Sequence, residues 1–140
     1  MDAPDVERRL AAILVADVVG YSRLMGDDEA ATVAALNACR ELFSEQIQKR
    51  RGRVVNAPGD SILAEFASVV DAVAAAVEIQ RELAGRNAGE TEARAMHFRI
   101  GINLGDVVVD QDAIYGDGVN IAARLEALAE PGGICIARNV

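Results

Sequence analysis

The run LAAILVADVV, residues 10–19, is the feature that most constrains the fold of this chain. It is apolar except for Asp17, becomes β-branched toward its end and is followed by Gly20. A run this short falls well below the roughly 20 apolar residues that span a bilayer, so it indicates a buried strand. A charged Asp inside such a strand is costly to bury unless it is paired or bound to a metal.

The pattern along the rest of the chain predicts the order β-α-β-β-α-β, followed by a further β-α-β extension. The expected strands cover residues 10–19, 53–55, 61–66, 97–103, 107–109 and 134–137, with helices over 27–50, from Ser68 and over 117–130. Polar residues 85–95 predict a loop, and residues 104–106 predict a turn. The first six elements match the ferredoxin-like arrangement, an α+β fold. We expect residues 1–9 to be a flexible N-terminus and residues 10–140 to form one domain.

Helix signals support these assignments. Asp27 or Asp28 is suited to cap the first long helix, and Ser68 with Asp71 is suited to cap the second. An apolar stripe at helical spacing on the first helix indicates its buried side; it consists of Leu36, Cys39, Phe43 and Ile47.

Charge and composition exclude several classes of protein. The 22 acidic residues outnumber the 14 Lys and Arg, which gives a net charge of −8 and argues against a nucleic-acid partner, because such a partner requires a basic surface. Cys39 and Cys135 lie far apart, and no Cys/His cluster suggests zinc, so we expect a reducing compartment. The acidic start is unlike a secretory signal. We therefore expect a cytoplasmic chain without a membrane segment.

Two carboxylates are predicted to meet at one edge of the sheet. In the expected topology the end of the first strand, at Asp17, lies beside the start of the third, at Asp60. Oxygen ligands of this kind suit Mg²⁺ or Mn²⁺, and the backbone N–H groups of Val19–Ser22, entering a helix, are suited to bind phosphate. The alternative is structural: Asp17 accepts backbone hydrogen bonds, and Asp60 is a turn residue.

A second group of polar residues lies on the last helix. Asn120 and Arg124 are four residues apart and share one side of it, suited to orient a ligand and to stabilise phosphate charge. The apolar stripe expected to pack this helix lies beside them and consists of Ile121, Leu125 and Leu128. The alternative is a surface Asn and an Arg paired with Glu126 or Glu130.

Four ordered segments resemble the catalytic domain of the class III nucleotide cyclases, the adenylate and guanylate cyclases, in a bacterial form. The segments are ADVVGYSRLMG (16–26), GRVVNAPGDSILAEF (52–66), FRIGINLGDVVV (98–109) and IYGDGVNIAARLEALAEPGGICI (114–136). The resemblance implies an enzyme that converts a nucleoside triphosphate, ATP above all, into a 3′,5′-cyclic monophosphate and pyrophosphate for intracellular signalling.

The same resemblance assigns roles to particular residues. It implies two divalent ions, Mg²⁺ or Mn²⁺, held by Asp17, Asp60 and the backbone carbonyl of Val18. It places the catalytic pair at Asn120 and Arg124. Because family sites lie between two catalytic domains, it also implies a symmetric homodimer with shared sites.

Two positions depart from the family pattern. The residues expected to read the base are Asn56, where adenylate cyclases usually carry Lys, and Ala113, where they usually carry Asp or Thr. The last helix and hairpin of family domains are not found before Val140. These departures support a second hypothesis, in which a degenerate cyclase-like module binds nucleotide or pairs with another cyclase without turnover.

Overall fold

The computed structural model describes residues 7–55, 59–111 and 113–140. Within these ranges the elements follow in the order β1 (Glu7–Val18), α1 (Tyr21–Asp27), α2 (Glu29–Lys49), β2 (Arg53–Val55), β3 (Ile62–Phe66), α3 (Val69–Ala88), β4 (Phe98–Asp110), β5 (Ala113–Tyr115), α4 (Asp117–Leu128) and β6 (Ile134–Ile136).

These strands form a single sheet in the order β2-β3-β1-β4-β5, with β6 parallel to β4. Strand β3 runs antiparallel to both β1 and β2, and β4 runs antiparallel to β1. Thus β1 and β2 are parallel, with β3 between them, as the ferredoxin-like prediction requires. The predicted α+β fold is confirmed.

Helices cover both faces of strand β1, which explains its continuous apolar sequence. Ala12 and Leu14 belong to a core shared with α1, α2 and α3, whereas Ala11 and Ile13 belong to a smaller core on the α4 side. Burial on both faces removes the polar alternation that a half-exposed strand shows. The stripe predicted on the first long helix is confirmed, since all four of its side chains are buried.

Helix α4 packs through the small residues of one side. A Cβ added to Gly101 on β4 would lie 2.3 Å from the backbone nitrogen of Glu126 and 2.4 Å from the carbonyl oxygen of Ala122. The buried residues of α4 are Gly118, Ala122 and Glu126. Glycine on the strand and small residues on the helix therefore set a close approach of the two backbones.

The predicted packing stripe of α4 is wrong. Ile121 is 40% exposed and Leu128 is 75% exposed, while Leu125 is half-buried. The gap above Gly101 admits backbone and small side chains, so the bulky residues lie on the outer side of the helix.

The predicted turn at residues 104–106 is also wrong, because β4 is continuous across it. Leu104, Gly105 and Asp106 pair with residues 10–12 of β1. The long β1 supplies ladder partners that local turn propensity does not anticipate. Consequently the strand that starts the β-α-β extension is β5, and residues 107–109 belong to β4.

Several boundaries also differ from the predictions. Residues 7–9, expected to be flexible, pair with Val107–Val109; residues 1–6 lie outside the described ranges. The first helical region begins earlier, as α1, and Asp28 separates it from α2, which it caps by accepting a hydrogen bond from Ala31 N. Ser68 caps α3 as predicted, and α3 continues through Ala88 into the expected loop. Helix α4 ends at Leu128, before residue 130.

None of the helices in these ranges is long and apolar enough to cross a membrane.

Candidate active site

The structure brings Asp17 and Asp60 to the same end of the sheet. Asp17 is the penultimate residue of β1, and Asp60 lies just before β3, the neighbouring strand. The Oδ2 atom of Asp60 accepts a hydrogen bond from the backbone nitrogen of Val18 at 3.3 Å. Two acidic groups that are distant in sequence thus converge on the last residues of β1.

The structural alternative holds for the position of Asp60 but not for the hydrogen bonding of Asp17. Asp60 is a turn residue just before β3, and its carboxylate accepts the backbone hydrogen bond from Val18. Among the described residues, no backbone N–H donates to the Asp17 side chain. Asp17 is half-buried.

A third carboxyl group, Glu126 on α4, faces this pair and was missed by the sequence analysis. Glu126 is 6% exposed, and its Oε1 atom is shut off from water without a hydrogen-bond partner among the described residues. Burial, then hydrogen bonding to Asp17 and the negative charges of Asp17 and Asp60, raise the pKa of Glu126 to about 8. The sequence does contain a signal for the burial of Glu126. Glu126 follows Gly118 and Ala122 at four-residue spacing, which places it on the small-residue side of the helix.

Positive charge at this cluster comes from Arg99, which lies opposite Asp17 in the β1–β4 register. The charge of Arg99 lowers the pKa of Glu126, but burial and the neighbouring carboxylates raise that pKa by more. Three carboxyl groups therefore face one guanidinium. The surplus is negative, and the donors are hard oxygens of the kind Mg²⁺ and Mn²⁺ prefer. Within the described ranges no three acidic, His or Cys side chains are arranged to hold a metal by themselves. The residues present fit a divalent cation held by two carboxylates and backbone oxygen.

The segment Val19–Ser22 leads from this cluster into α1. Val19 N donates to His97 O at 2.8 Å, which ties the end of β1 to the start of β4. Gly20 adopts a left-handed conformation with φ 67° and ψ 35°, which glycine reaches without the penalty of a Cβ. The first N–H groups of α1 have no intrahelical acceptor, so they remain free to meet an external one.

Asn120 and Arg124 lie on the exposed side of α4. In the described part of the chain neither residue forms a hydrogen bond or ion pair with Asp17 or Asp60, and Arg124 forms no ion pair with Glu126 or Glu130. The structural alternative offered for Arg124 is therefore not observed. Within one chain the described residues therefore show no hydrogen bond or ion pair between the Asn–Arg pair and the two Asp residues.

The structure describes one of the two expected base-reading positions. Asn56 lies outside the described residues. Ala113 opens β5 and pairs with Asp110 at the far end of β4 from Arg99. Its side chain offers no hydrogen-bonding atom.

Comparison with known proteins identifies the family. The family of adenylate and guanylate cyclase catalytic domains matches residues 6–140. A Rhizobium meliloti protein provisionally named adenylate cyclase 3 is 46% identical over 141 residues, which cover 100% of this chain and 24% of that protein. An adenylate cyclase of Streptomyces coelicolor is 30% identical over 136 residues, which cover 96% of this chain and 34% of that one.

A solved structure agrees with these relatives. The crystal structure of an adenylate/guanylate cyclase/hydrolase from Silicibacter pomeroyi is 42% identical to this chain. It has a TM-score of 0.90 over 96% of this chain and 79% of that one. The chain therefore belongs to the adenylate and guanylate cyclase catalytic domain family. It spans only about a quarter to a third of the length of the two relatives given above.

Proposed function

We propose that this chain catalyses the cyclisation of a nucleoside triphosphate, ATP above all, to a 3′,5′-cyclic monophosphate in intracellular signalling. The observation that carries the proposal is the convergence of Asp17 and Asp60 at Val18, with Glu126 buried against them. This arrangement concentrates negative charge at the place where the resemblance to the cyclases implies that a cation binds. A substrate of this kind also favours a cytoplasmic location.

In the proposed reaction, the ribose 3′-oxygen forms a bond to the α-phosphorus and loses its proton. The bond from the α-phosphorus to the bridging oxygen breaks, and pyrophosphate leaves with that oxygen. The chemistry that two bound Mg²⁺ or Mn²⁺ ions supply is activation of the hydroxyl and neutralisation of phosphate charge. Asp17, Asp60 and the Val18 carbonyl would hold them.

The remaining residues act by position and charge. The amides of Gly20, Tyr21 and Ser22 contact phosphate oxygens at the entry to α1. Val19, also predicted to bind phosphate, is not part of this set, because its N–H already donates to His97 O. Asn120 orients the ribose, and Arg124 stabilises the charge that grows on the phosphate during bond exchange. No side chain serves as a nucleophile.

We propose further that a symmetric homodimer completes the site. Asn120 and Arg124 are exposed and separate from the acidic cluster of their own chain, so a second copy is needed to bring the two sets together. The exposed apolar residues Ile121 and Leu128 lie on the same helix. Burying them at an interface would remove apolar surface from water.

A cyclisation assay tests the function. Purified protein with Mn²⁺ and either ATP or GTP should release cyclic nucleotide, and Asp17→Ala or Asp60→Ala should lower the rate by about 100-fold or more, because both remove cation ligands. Glu82→Ala, an exposed carboxylate on α3, is the matched control and should leave the rate unchanged. Absence of product from both triphosphates would falsify the proposal.

Complementation tests the shared site. Asp17→Ala and Arg124→Ala are each expected to be inactive alone. Mixed in equal amounts they should regain up to about a quarter of the wild-type rate, because half of the dimers then hold one intact site of two. No recovery from a mixture shown to exchange subunits would rule out a site built from both chains.

The apolar side chain of Ala113 favours a second candidate function. A base-reading position without a polar atom loses a contact that discriminates between bases. The second candidate is therefore a cyclase-like module that binds nucleotide or pairs with another cyclase without turnover. Metal-dependent nucleotide binding without product, in a chain that dimerises, would support this candidate over the enzyme.

A further inference from the structure

A cavity of about 490 Å³ opens between α2 and α3, apart from the acidic cluster. Its size falls in the range of small-molecule sites, about 300–1,000 Å³. Small and apolar side chains form most of its wall, among them Ala35, Cys39, Leu83 and Met96. An apolar wall of this kind suits the hydrocarbon part of a ligand.

Two guanidinium groups line the same cavity. Arg94 donates through Nη2 to Thr32 Oγ1 at 3.1 Å, whereas its Nη1 atom is shut off from water and has no partner among the described residues. Arg86, from the last turn of α3, donates through Nη1 to Ala38 O at 3.4 Å. A buried donor without an acceptor is unfavourable, so a rotation of the Arg94 side chain that presents Nη1 to an anion in the cavity would be favoured.

The charge of the cavity is not balanced by its own residues. Glu90 also lines it, but in the described part of the chain neither Arg86 nor Arg94 has a carboxylate within ion-pair distance. Burial raises the pKa of the Cys39 thiol, and the nearby positive charge of Arg86 opposes that effect. The positive field of Arg86 therefore reaches the cavity wall in a chain whose net charge is −8.

We propose that this cavity binds an organic anion, with a carboxylate or phosphate head placed between Arg86 and Arg94 and a compact apolar body against Ala35, Cys39 and Met96. Guanidinium groups recognise both kinds of head by paired, charge-assisted hydrogen bonds. The inference does not depend on the proposed cyclase activity.

The methionine methyl groups provide a direct test. The chain has three methionines, and of these Met96 lines the cavity while Met25 does not. Protein labelled with ¹³C at the methionine methyls would be titrated with octanoate and with octyl phosphate, which distinguish the two heads. Saturable movement of the Met96 signal, with the Met25 signal fixed, is expected for at least one of them.

Two further probes distinguish the contribution of the anionic head to binding from that of the apolar body. Acetate offers the head alone and octanol offers the body alone, so each should bind much more weakly than octanoate. Equal affinity for octanol would show an apolar pocket without anion recognition, and equal affinity for acetate would show that the apolar wall takes no part. Either result overturns the proposal.

Arginine variants test which side chains bind the anionic head. Arg86→Gln and Arg94→Gln should each weaken binding about tenfold, the loss of one charge-assisted hydrogen bond. Arg81→Gln, an exposed arginine on the same helix but outside the cavity, should leave binding unchanged. Because Arg94 also contacts Thr32, Arg86→Gln is the decisive variant if Arg94→Gln disturbs the fold. Unchanged binding in Arg86→Gln, or no Met96 movement with any probe, would refute the site.

Discussion

Glu126 on helix α4 meets Asp17 on strand β1 through their carboxyl groups, inside a single chain. Glu126 is almost fully buried, and burial together with Asp17 and Asp60 raises the pKa of Glu126 to about 8. Around neutral pH and without metal, the Glu126 carboxyl therefore keeps its proton. A protonated carboxyl can donate a hydrogen bond to a neighbouring carboxylate, so Glu126 is placed to orient Asp17.

Replacing Glu126 tests this relationship. Glu126→Gln keeps a hydrogen-bond donor of similar shape and should retain Mn²⁺ affinity within about threefold of wild type, whereas Glu126→Leu removes the donor and should weaken it about tenfold. Mn²⁺ titration followed by electron paramagnetic resonance measures the affinity without relying on turnover. Glu130→Leu, an exposed neighbour, is the control. If Gln proves as damaging as Leu, the negative charge of Glu126 matters rather than its hydrogen bond.

The raised pKa of Glu126 predicts a pH dependence of stability in the metal-free chain. Between about pH 4.5 and pH 8 the folded state binds the Glu126 proton more tightly than the unfolded state does. The contribution of Glu126 is therefore complete below about 4.5 and is lost as the pH rises toward 8. Urea unfolding in EDTA at a series of pH values should show a steeper decline for wild type than for Glu126→Gln. Parallel curves for the two proteins would contradict the assignment.

The contact between Gly101 and α4 predicts a large effect of one methyl group. Gly101→Ala would place its Cβ against backbone atoms of Ala122 and Glu126 and should cost about 2–4 kcal/mol of unfolding free energy, since backbone moves less readily than side chains. Gly85→Ala on α3 meets nothing within 4 Å and should stabilise the chain by about 0.5–1 kcal/mol. Denaturant unfolding compares the two. A small loss in Gly101→Ala would mean that α4 can lift from the sheet.

The exposed apolar side chains of Ile121 and Leu128 on α4 predict self-association through that helix. Leu128→Glu should weaken dimer formation about tenfold or more, because it places a charge where apolar surface would be buried. Stability of the monomer should hardly change, since Leu128 is 75% exposed. Sedimentation velocity measures the association, with Val77→Glu on α3 as the control. An unchanged dimer would place the interface elsewhere.

The part of the fold around Asp17 and Asp60 could be predicted from the sequence alone. A buried apolar strand, a hairpin and two capped helices are local patterns, and the ferredoxin-like order then brings the two acidic residues together. The packing side of α4 was assigned incorrectly because hydrophobic periodicity identifies bulky residues, whereas Gly118 and Ala122 pack by being small. Glu126 was missed for the same reason: its burial depends on Gly101, which is distant in sequence.

Long-range pairing also explains the error at residues 104–106. Gly105 and Asp106 have turn-forming composition, but their ladder partners on β1 hold them extended. Base recognition does not follow from the sequence either, because Ala113 carries no polar group. The metal roles of Asp17, Val18 and Asp60, and the roles of Asn120 and Arg124, stay predictions.

The close approach at Gly101 also restricts how this protein can move. Because helix backbone lies directly on strand backbone at Gly101, α4 is pinned to β4 at that point, and we expect the helix and the sheet to move together. Asn120 and Arg124 then keep a fixed offset from the acidic cluster of their own chain. If two copies share each site, opening and closing around substrate must occur by rotation of one whole subunit against the other, and a signal would act by changing that angle.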